Sequence, residues 1–204
     1  MILIIDNGSQ YTHLIKRNCR DLGFDAEVLN AKAKERDLDE ALGKGVEKVI
    51  LSGGPNSVYN ETPKTNLSSL IVEKIKNKKG GSLDKMSLED TPLLGICYGH
   101  QTIAYVFGAK VEKGKSAEYG TGEIFVDDED LILKGMPKRF TAWVSHFDEV
   151  KELPEGFVRL AHSDTCPIEA MRHEKRAIFS VQFHPEVWHT ENGERILKNF
   201  LEHK

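Results

Sequence analysis

The spacing of apolar positions changes character along the chain. Ile2 to Ile5 is a continuous apolar run, the pattern of a central strand covered on both faces. After the turn cluster Asp6-Asn7-Gly8-Ser9, residues Tyr11, Leu14, Ile15, Cys19 and Leu22 recur at helical spacing and stop at Gly23. A helix is therefore predicted here, capped by Ser9 or an immediate neighbour, with Cys19 in the core. Phe24 to Leu29 reads as a strand, Leu38 to Leu42 as a short helical patch ending in Gly43, and Lys48-Val49-Ile50-Leu51 as a third strand. Leu67, Leu70, Ile71 and Ile75 predict a helix that fades into the polar stretch Asn77 to Ser82.

Strand and helix in this alternation imply crossovers and an open, mainly parallel sheet with helices on both faces, an α/β fold. After Phe107 the texture changes. Short strand-like pieces follow at Ala109 to Val111, Gly122 to Val126, Arg139 to Val144, Phe157 to Ala161, Ile168 to Arg172 and Ala177 to Phe183. Additional antiparallel strands are expected in this C-terminal half, closed by a helix carrying Arg195, Ile196, Leu197, Phe200 and Leu201. No repeat or linker divides the chain, so residues 1–204 read as a single domain.

One stretch concentrates chemistry. Leu93-Leu94-Gly95-Ile96 is a buried strand after Pro92, and it breaks at Cys97-Tyr98-Gly99 before the helical pattern of Thr102 to Phe107. Gly-x-Cys-x-Gly at a strand-to-helix turn is the spacing of a nucleophile elbow with sulfur in place of oxygen. The start of a helix beside Cys97 favours a thiolate through its free N–H groups and dipole. The competing reading is a small buried hydrophobe. Upstream, Ser52-Gly53-Gly54-Pro55 directly follows a strand, where a parallel sheet leaves N–H groups free to face a ligand; an ordinary flexible turn is the alternative.

Composition narrows the class without naming a reaction. With 39% hydrophobic and 29% charged residues, the chain has the make-up of a globular protein rather than a disordered or fibrous one. Its net charge of -4 gives no overall basic excess for nucleic acid. The local cluster Lys74, Lys76, Lys78 and Lys79 reads as a solvated helix end. Cys19, Cys97 and Cys166 lie far apart, so neither a disulfide framework nor a Cys-x-x-Cys metal motif follows. With no signal-peptide pattern and no apolar run long enough to span a bilayer, a reduced, cytoplasmic setting is expected.

A thiolate nucleophile needs a base and a group to orient that base. Val181-Gln182-Phe183-His184-Pro185-Glu186 supplies both. Pro185 disfavours the helical region for His184, so an extended tripeptide is predicted, with His184 and Glu186 projecting to the same side. Glu186 would then hold the imidazole N–H, as the acid of a triad does. His146, in Ser145-His146-Phe147-Asp148, is either a wall of the site or a core residue bonded to Asp148. A metal bound by Cys97 and His184 lacks a third ligand, so no metal is expected there.

Gly-Ile-Cys-Tyr-Gly-His-Gln, Ser-Gly-Gly-Pro and Gln-Phe-His-Pro-Glu, together and in this order, resemble the class I (triad) glutamine amidotransferases across nearly the whole chain. The resemblance implies glutamine as substrate and a thioester on Cys97, with His184 as base and Glu186 as its orienter. It further implies an oxyanion hole from the backbone N–H groups of Gly54 and Tyr98, and a glutamine grip from Gln101 and the backbone around Ser145 and Phe147. Ile5 to Tyr11, Val144 to Val150, Ser163 to Met171 and His184 to Thr190 with Gly193 are similar to the GMP synthases within that family. Their usual phosphate loop, Ser-Gly-Gly-Val-Asp-Ser, does not occur in these 204 residues. The resemblance therefore implies a separate glutaminase subunit with no cofactor of its own. ATP and magnesium are expected on a partner ATP-pyrophosphatase subunit, and neither nucleic acid nor membrane is expected as a partner. Other acceptors, as in anthranilate or carbamoyl phosphate synthesis, and a non-catalytic binding module are the alternatives. Two departures stand out: a long polar connection from Lys74 to Asp90, and His100 where many relatives carry Met.

Overall fold

The structure is a computed structural model that describes residues 1–77 and 88–203. Most of the polar connection between Lys74 and Asp90, including Lys78 and Lys79, lies outside the described residues. Its elements are β1 (Ile2–Asp6), α1 (Thr12–Asp21), β2 (Ala26–Asn30), α2 (Glu35–Gly43), β3 (Lys48–Leu51), α3 (Leu67–Lys76), β4 (Leu93–Ile96) and α4 (Tyr98–Val106), followed by β5 (Val111–Val126), β6 (Arg139–Val150), β7 (Phe157–His162), β8 (Ala170–His173), β9 (Ile178–Val181) and α5 (Gly193–Glu202).

All nine strands join one sheet in the order β2-β1-β3-β4-β9-β8-β7-β5-β6. The first five in that order pair in parallel, and the remaining pairings are antiparallel. The apolar runs of the central strands explain why they are central. Alternate residues serve opposite faces: Ile2, Ile4, Ile50, Leu94 and Ile96 pack in one core with α1 and α5. Leu3, Ile5, Val49, Leu51 and Leu93 pack in the other with α2, α3 and α4. Cys19 is fully buried in the first core, as its helical spacing predicts.

Two local expectations are revised. The end of the piece at 109–111 and all of 122–126 belong to one long strand, β5, which pairs with an equally unexpected long β6 that runs on to Val150. The polar residues between them hid this strand, because a hairpin arm that projects from the sheet has no apolar face to advertise it. At the start of α1, Tyr11 takes the cap position, and Ser9 Oγ accepts the Tyr11 N–H at 3.1 Å.

Because β1, β3, β4 and β9 run in parallel, the loops that follow them emerge at the same sheet edge. Those loops carry Ser9 to Tyr11, Ser52 to Pro55, Cys97, and His184 to Glu186. The two earliest loops are pinned to each other: Asn7 N donates to Ser52 Oγ and Asn7 Nδ2 to Ser52 O, both at 2.9 Å.

Candidate active site

Cys97 sits between the last residue of β4 and the first of α4, with φ 51° and ψ -103°. For a non-glycine residue this is a strained conformation, and hydrogen bonds on both sides hold it. Cys97 N donates to Val181 O at 2.8 Å, and Gln101 N donates to Cys97 O at 3.0 Å. Of the two tasks open to glycines flanking such a turn, a sharp bend and the close approach of a neighbouring element, the structure shows the second: neither has positive φ. They allow close approach, because a Cβ on Gly99 would stand 2.5 Å from the carbonyl oxygen of Leu51 in β3. One on Gly95 would stand 2.6 Å from the backbone of Gly99. The strain falls on Cys97 itself, and the glycines let its helix lie against the sheet.

His184 arrives from the end of β9. Its N–H donates to Trp143 O at 2.9 Å, and its carbonyl accepts from Thr190 Oγ1 at 2.6 Å, so its backbone is fixed on both sides. The segment is not extended as predicted. Val187 N bonds back to His184 O at 3.3 Å, forming a turn with Pro185 at its second position, where the fixed φ of proline fits. The expected pairing survives by this other route: His184 Nδ1 and Glu186 Oε1 are 2.8 Å apart. Both side chains are buried. Burial alone would lower the His184 pKa, but the Glu186 carboxylate and Cys97 outweigh it and hold the imidazole well above its ordinary value. The Tyr11 ring meets the imidazole edge-on at 5.0 Å.

Cys97 and His184 line a cleft of about 320 Å³ with Gly8, Ser9, Gln10, Tyr11, Gly54, Pro55 and Ser145. A second cleft of about 300 Å³ shares Cys97, Gly54 and Ser145 and adds Gln101, Phe147, His146, Asp148 and Lys113. A larger cleft of about 630 Å³ lies between α1, α5 and the far side of the His184 turn, and Cys97 is not among its walls. The cysteine thus stands where two smaller hollows meet, with the Cys97 thiol 3.7 Å from Ser145 O.

Gly54 N makes no hydrogen bond among the described residues. Tyr98 N, at the first position of α4, has no partner within its helix. Gly54 must also be glycine for packing, since a Cβ there would lie 2.6 Å from Asn7 O. Gln101 is buried, and its amide nitrogen already donates to Asp148 O at 2.7 Å and Gln182 Oε1 at 3.2 Å, which leaves its oxygen for a ligand. Phe147 is half exposed, with the Lys113 ammonium over its ring at 5.3 Å. His146 both lines the cleft and contacts Asp148, but through the main-chain oxygen of Asp148, at 3.2 Å from Nδ1. The Asp148 carboxylate instead accepts from Ser57 Oγ.

The sequence pattern assigns Ser9 and Tyr11 only to capping and helix packing, yet both line the cleft. Their place in a loop after β1, next to the point where strand order reverses, is the signal that puts them at the site.

Comparison with known proteins agrees with this arrangement. The model of the family "Glutamine amidotransferase class-I" matches residues 3–204. A Thermococcus kodakarensis protein named as a GMP synthase (glutamine-hydrolyzing) subunit is 46% identical over 202 residues, covering 99% of this chain and 97% of the relative. A Methanocaldococcus jannaschii protein of the same name is 42% identical over 98% of this chain and 95% of its own length. A crystal structure of a putative GMP synthase subunit protein from Thermoplasma acidophilum superposes with a TM-score of 0.82 at 35% identity, covering 98% of this chain and 91% of that one. A glutamine amidotransferase from Thermotoga maritima shares the fold, with a TM-score of 0.73 at 24% identity over 98% of this chain and 80% of its own. By sequence, by fold and by the placement of its cysteine, this chain belongs to the class I glutamine amidotransferase family.

Proposed function

We propose that the chain is the glutaminase subunit of a GMP synthase, releasing ammonia from glutamine for a separate ATP-pyrophosphatase subunit that aminates XMP. The observation that carries the glutaminase reading is that Cys97, Gly54 and His184 line one cleft, with Glu186 bonded to His184 and Tyr98 next to Cys97 at the start of α4. The choice of acceptor rests on the relatives named as GMP synthase subunits, which match over 95–97% of their length at 42–46% identity.

In this reading His184 takes the thiol proton of Cys97, and the sulfur attacks the side-chain amide carbon of glutamine. The negative oxygen of the tetrahedral adduct lies against the N–H groups of Gly54 and Tyr98. His184 returns its proton to the departing nitrogen, ammonia leaves, and a thioester remains on Cys97. Water, deprotonated by the same imidazole, then attacks the thioester carbonyl and frees glutamate. Glu186 keeps the proton-shuttling nitrogen of His184 turned toward sulfur and stabilises the imidazolium. The free amide oxygen of Gln101 receives the α-ammonium of glutamine, with the backbone around Ser145 and Phe147 beside it. ATP and magnesium act on the partner protein.

Ammonia released without an activated acceptor is wasted, so this subunit is slow by itself and stimulated by its partner. The stimulated state is one in which the Gly53-Gly54 loop completes the oxyanion hole, a shift of population between loop conformations. The test is glutamate release by the purified chain alone and with the ATP-pyrophosphatase subunit, ATP and XMP, with Cys97→Ala as control. Release that rises with the complete mixture and vanishes in the control is expected. Absence of release in every mixture refutes the glutaminase, and release indifferent to XMP refutes the choice of acceptor.

A further inference from the structure

Behind the strand that carries Ser145, three side chains from distant segments converge: Glu118 on β5, His146 on β6 and Glu169 immediately before β8. One ligating atom of each lies within 4.8 Å of the other two, and His146 Nε2 stands 2.8 Å from Glu118 Oε2. Glu169 is fully buried, and neither of its carboxylate oxygens has a hydrogen-bond partner among the described residues. The Ser163 hydroxyl is near enough to favour the carboxylate, yet its hydrogen bonds are made with Thr165 and Cys166. Glu169 cannot retreat from this position. Its N–H donates to Ala161 O at 2.9 Å, and its carbonyl accepts from Gln182 N at 2.7 Å. A buried carboxylate with both oxygens unbonded is costly, and the fold keeps it aimed at an imidazole and a second carboxylate.

The imidazole is oriented in the manner of a metal ligand. His146 Nδ1 faces a backbone carbonyl, that of Asp148 at 3.2 Å, which turns Nε2 toward the two carboxylates. The β5–β6 register shifts between Lys113 and Glu118, just where Glu118 enters the cluster. Such irregularities re-aim side chains beside functional sites. His146 also lines the cleft shared with Cys97, which supplies a path from solvent. Two carboxylates balance the charge of a divalent ion, and an imidazole with two carboxylate oxygens is a donor set for zinc and its neighbours.

We propose that Glu118, His146 and Glu169 form a structural site for a divalent transition-metal ion of the zinc type. The bound ion ties β5 and β6 to the segment that begins β8, behind the strand whose Ser145 carbonyl faces the Cys97 thiol. Binding draws the three groups inward to metal–ligand distances of about 2.0–2.2 Å. The reaction at Cys97 does not pass through the ion. The three ligands are separated by tens of residues, so no local spacing reveals the set.

The test uses the full chain, stripped with chelator, incubated with Zn²⁺, desalted and assayed for retained zinc and for melting temperature. Cys97→Ser is measured in parallel, because a catalytic thiolate also binds zinc. About one equivalent retained by both proteins is expected, with a melting temperature raised by roughly 5 °C at zinc well above its Kd. Affinity at least about tenfold lower is expected in Glu169→Gln and in His146→Gln. If Glu169→Gln does not fold, Glu118→Gln gives the same reading from a less buried position. Negligible retention by the unaltered chain, loss of retention in Cys97→Ser, or retention undiminished by the Glu118 and Glu169 changes would each overturn the site.

Discussion

Replacing Gly99 by Ala tests whether close packing of α4 on β3 is what places Cys97. The added Cβ would lie 2.5 Å from Leu51 O and 2.7 Å from Leu51 Cβ, both rigid parts of a fully buried strand. Ordinary contact begins near 3.4 Å, so helix and strand must separate by about 0.9 Å. Overpacking of this kind costs roughly 1–3 kcal/mol. Ala is favoured over Gly within a helix by about 1 kcal/mol, so the net destabilisation is expected at roughly 0–2 kcal/mol. The effect on turnover should be larger. The same shift moves Cys97 and Tyr98 away from Gly54, which follows β3, and displacements near 1 Å cost on the order of 100-fold in rate. Gly43→Ala, at the end of α2 with nothing within 4 Å of its Cβ, is the control: it should react like the parent and melt no lower, since it gains helix propensity without a clash. The assay is glutaminase kcat/KM beside a denaturant melt. A Gly99→Ala enzyme within about twofold of the parent in kcat/KM would refute the claim that this contact positions the thiol.

Three further outcomes are expected. Cys97→Gly and Cys97→Ala should both abolish glutamate release, but the glycine variant should be the more stable by about 1 kcal/mol or more, because only glycine accepts φ 51° without strain; equal melting would refute the strain. Glu186→Gln removes the charge that raises His184, so its imidazole titration, followed by NMR, should move to lower pH while kcat falls on the order of 10²–10⁴-fold; an unmoved titration would refute the pairing. His100 is fully buried, and burial first, then His146, depress its pKa from 6.5 to about 3. Below pH 6.5 the unfolded chain takes up a proton that the folded chain refuses, so this residue withdraws about 1.4 kcal/mol of stability per pH unit down to about 3. His100→Met should flatten the acid limb of the stability–pH curve by that slope, and an unchanged limb would refute the assignment.

The local rules carried much of this fold. Runs such as Ile2 to Ile5 and Lys48 to Leu51 announce buried parallel strands because both faces need apolar side chains, and helical spacing before Gly23 marks α1. Gly-x-Cys-x-Gly and His-Pro-Glu could be singled out because each pairs a reactive side chain with the backbone that constrains it. Which element the glycines let approach was not legible, since the contact that requires Gly99 is made with Leu51, far off in sequence. Nor was the turn at Pro185, which is closed by a bond from Val187 and anchored by Trp143. The long arms of β5 and β6 escaped because their pairing with each other, not an apolar face, keeps them extended. Sequence by itself thus determined the class of fold and the pairing of His184 with Glu186, since both follow from nearest-neighbour patterning. The strand order that sets β9 beside β4, and so brings His184 to Cys97, Tyr11 to His184 and Glu169 to His146, was decided only by tertiary structure. Sheet pairing is a long-range choice among competing partners, and no local period encodes which strand lies next to which.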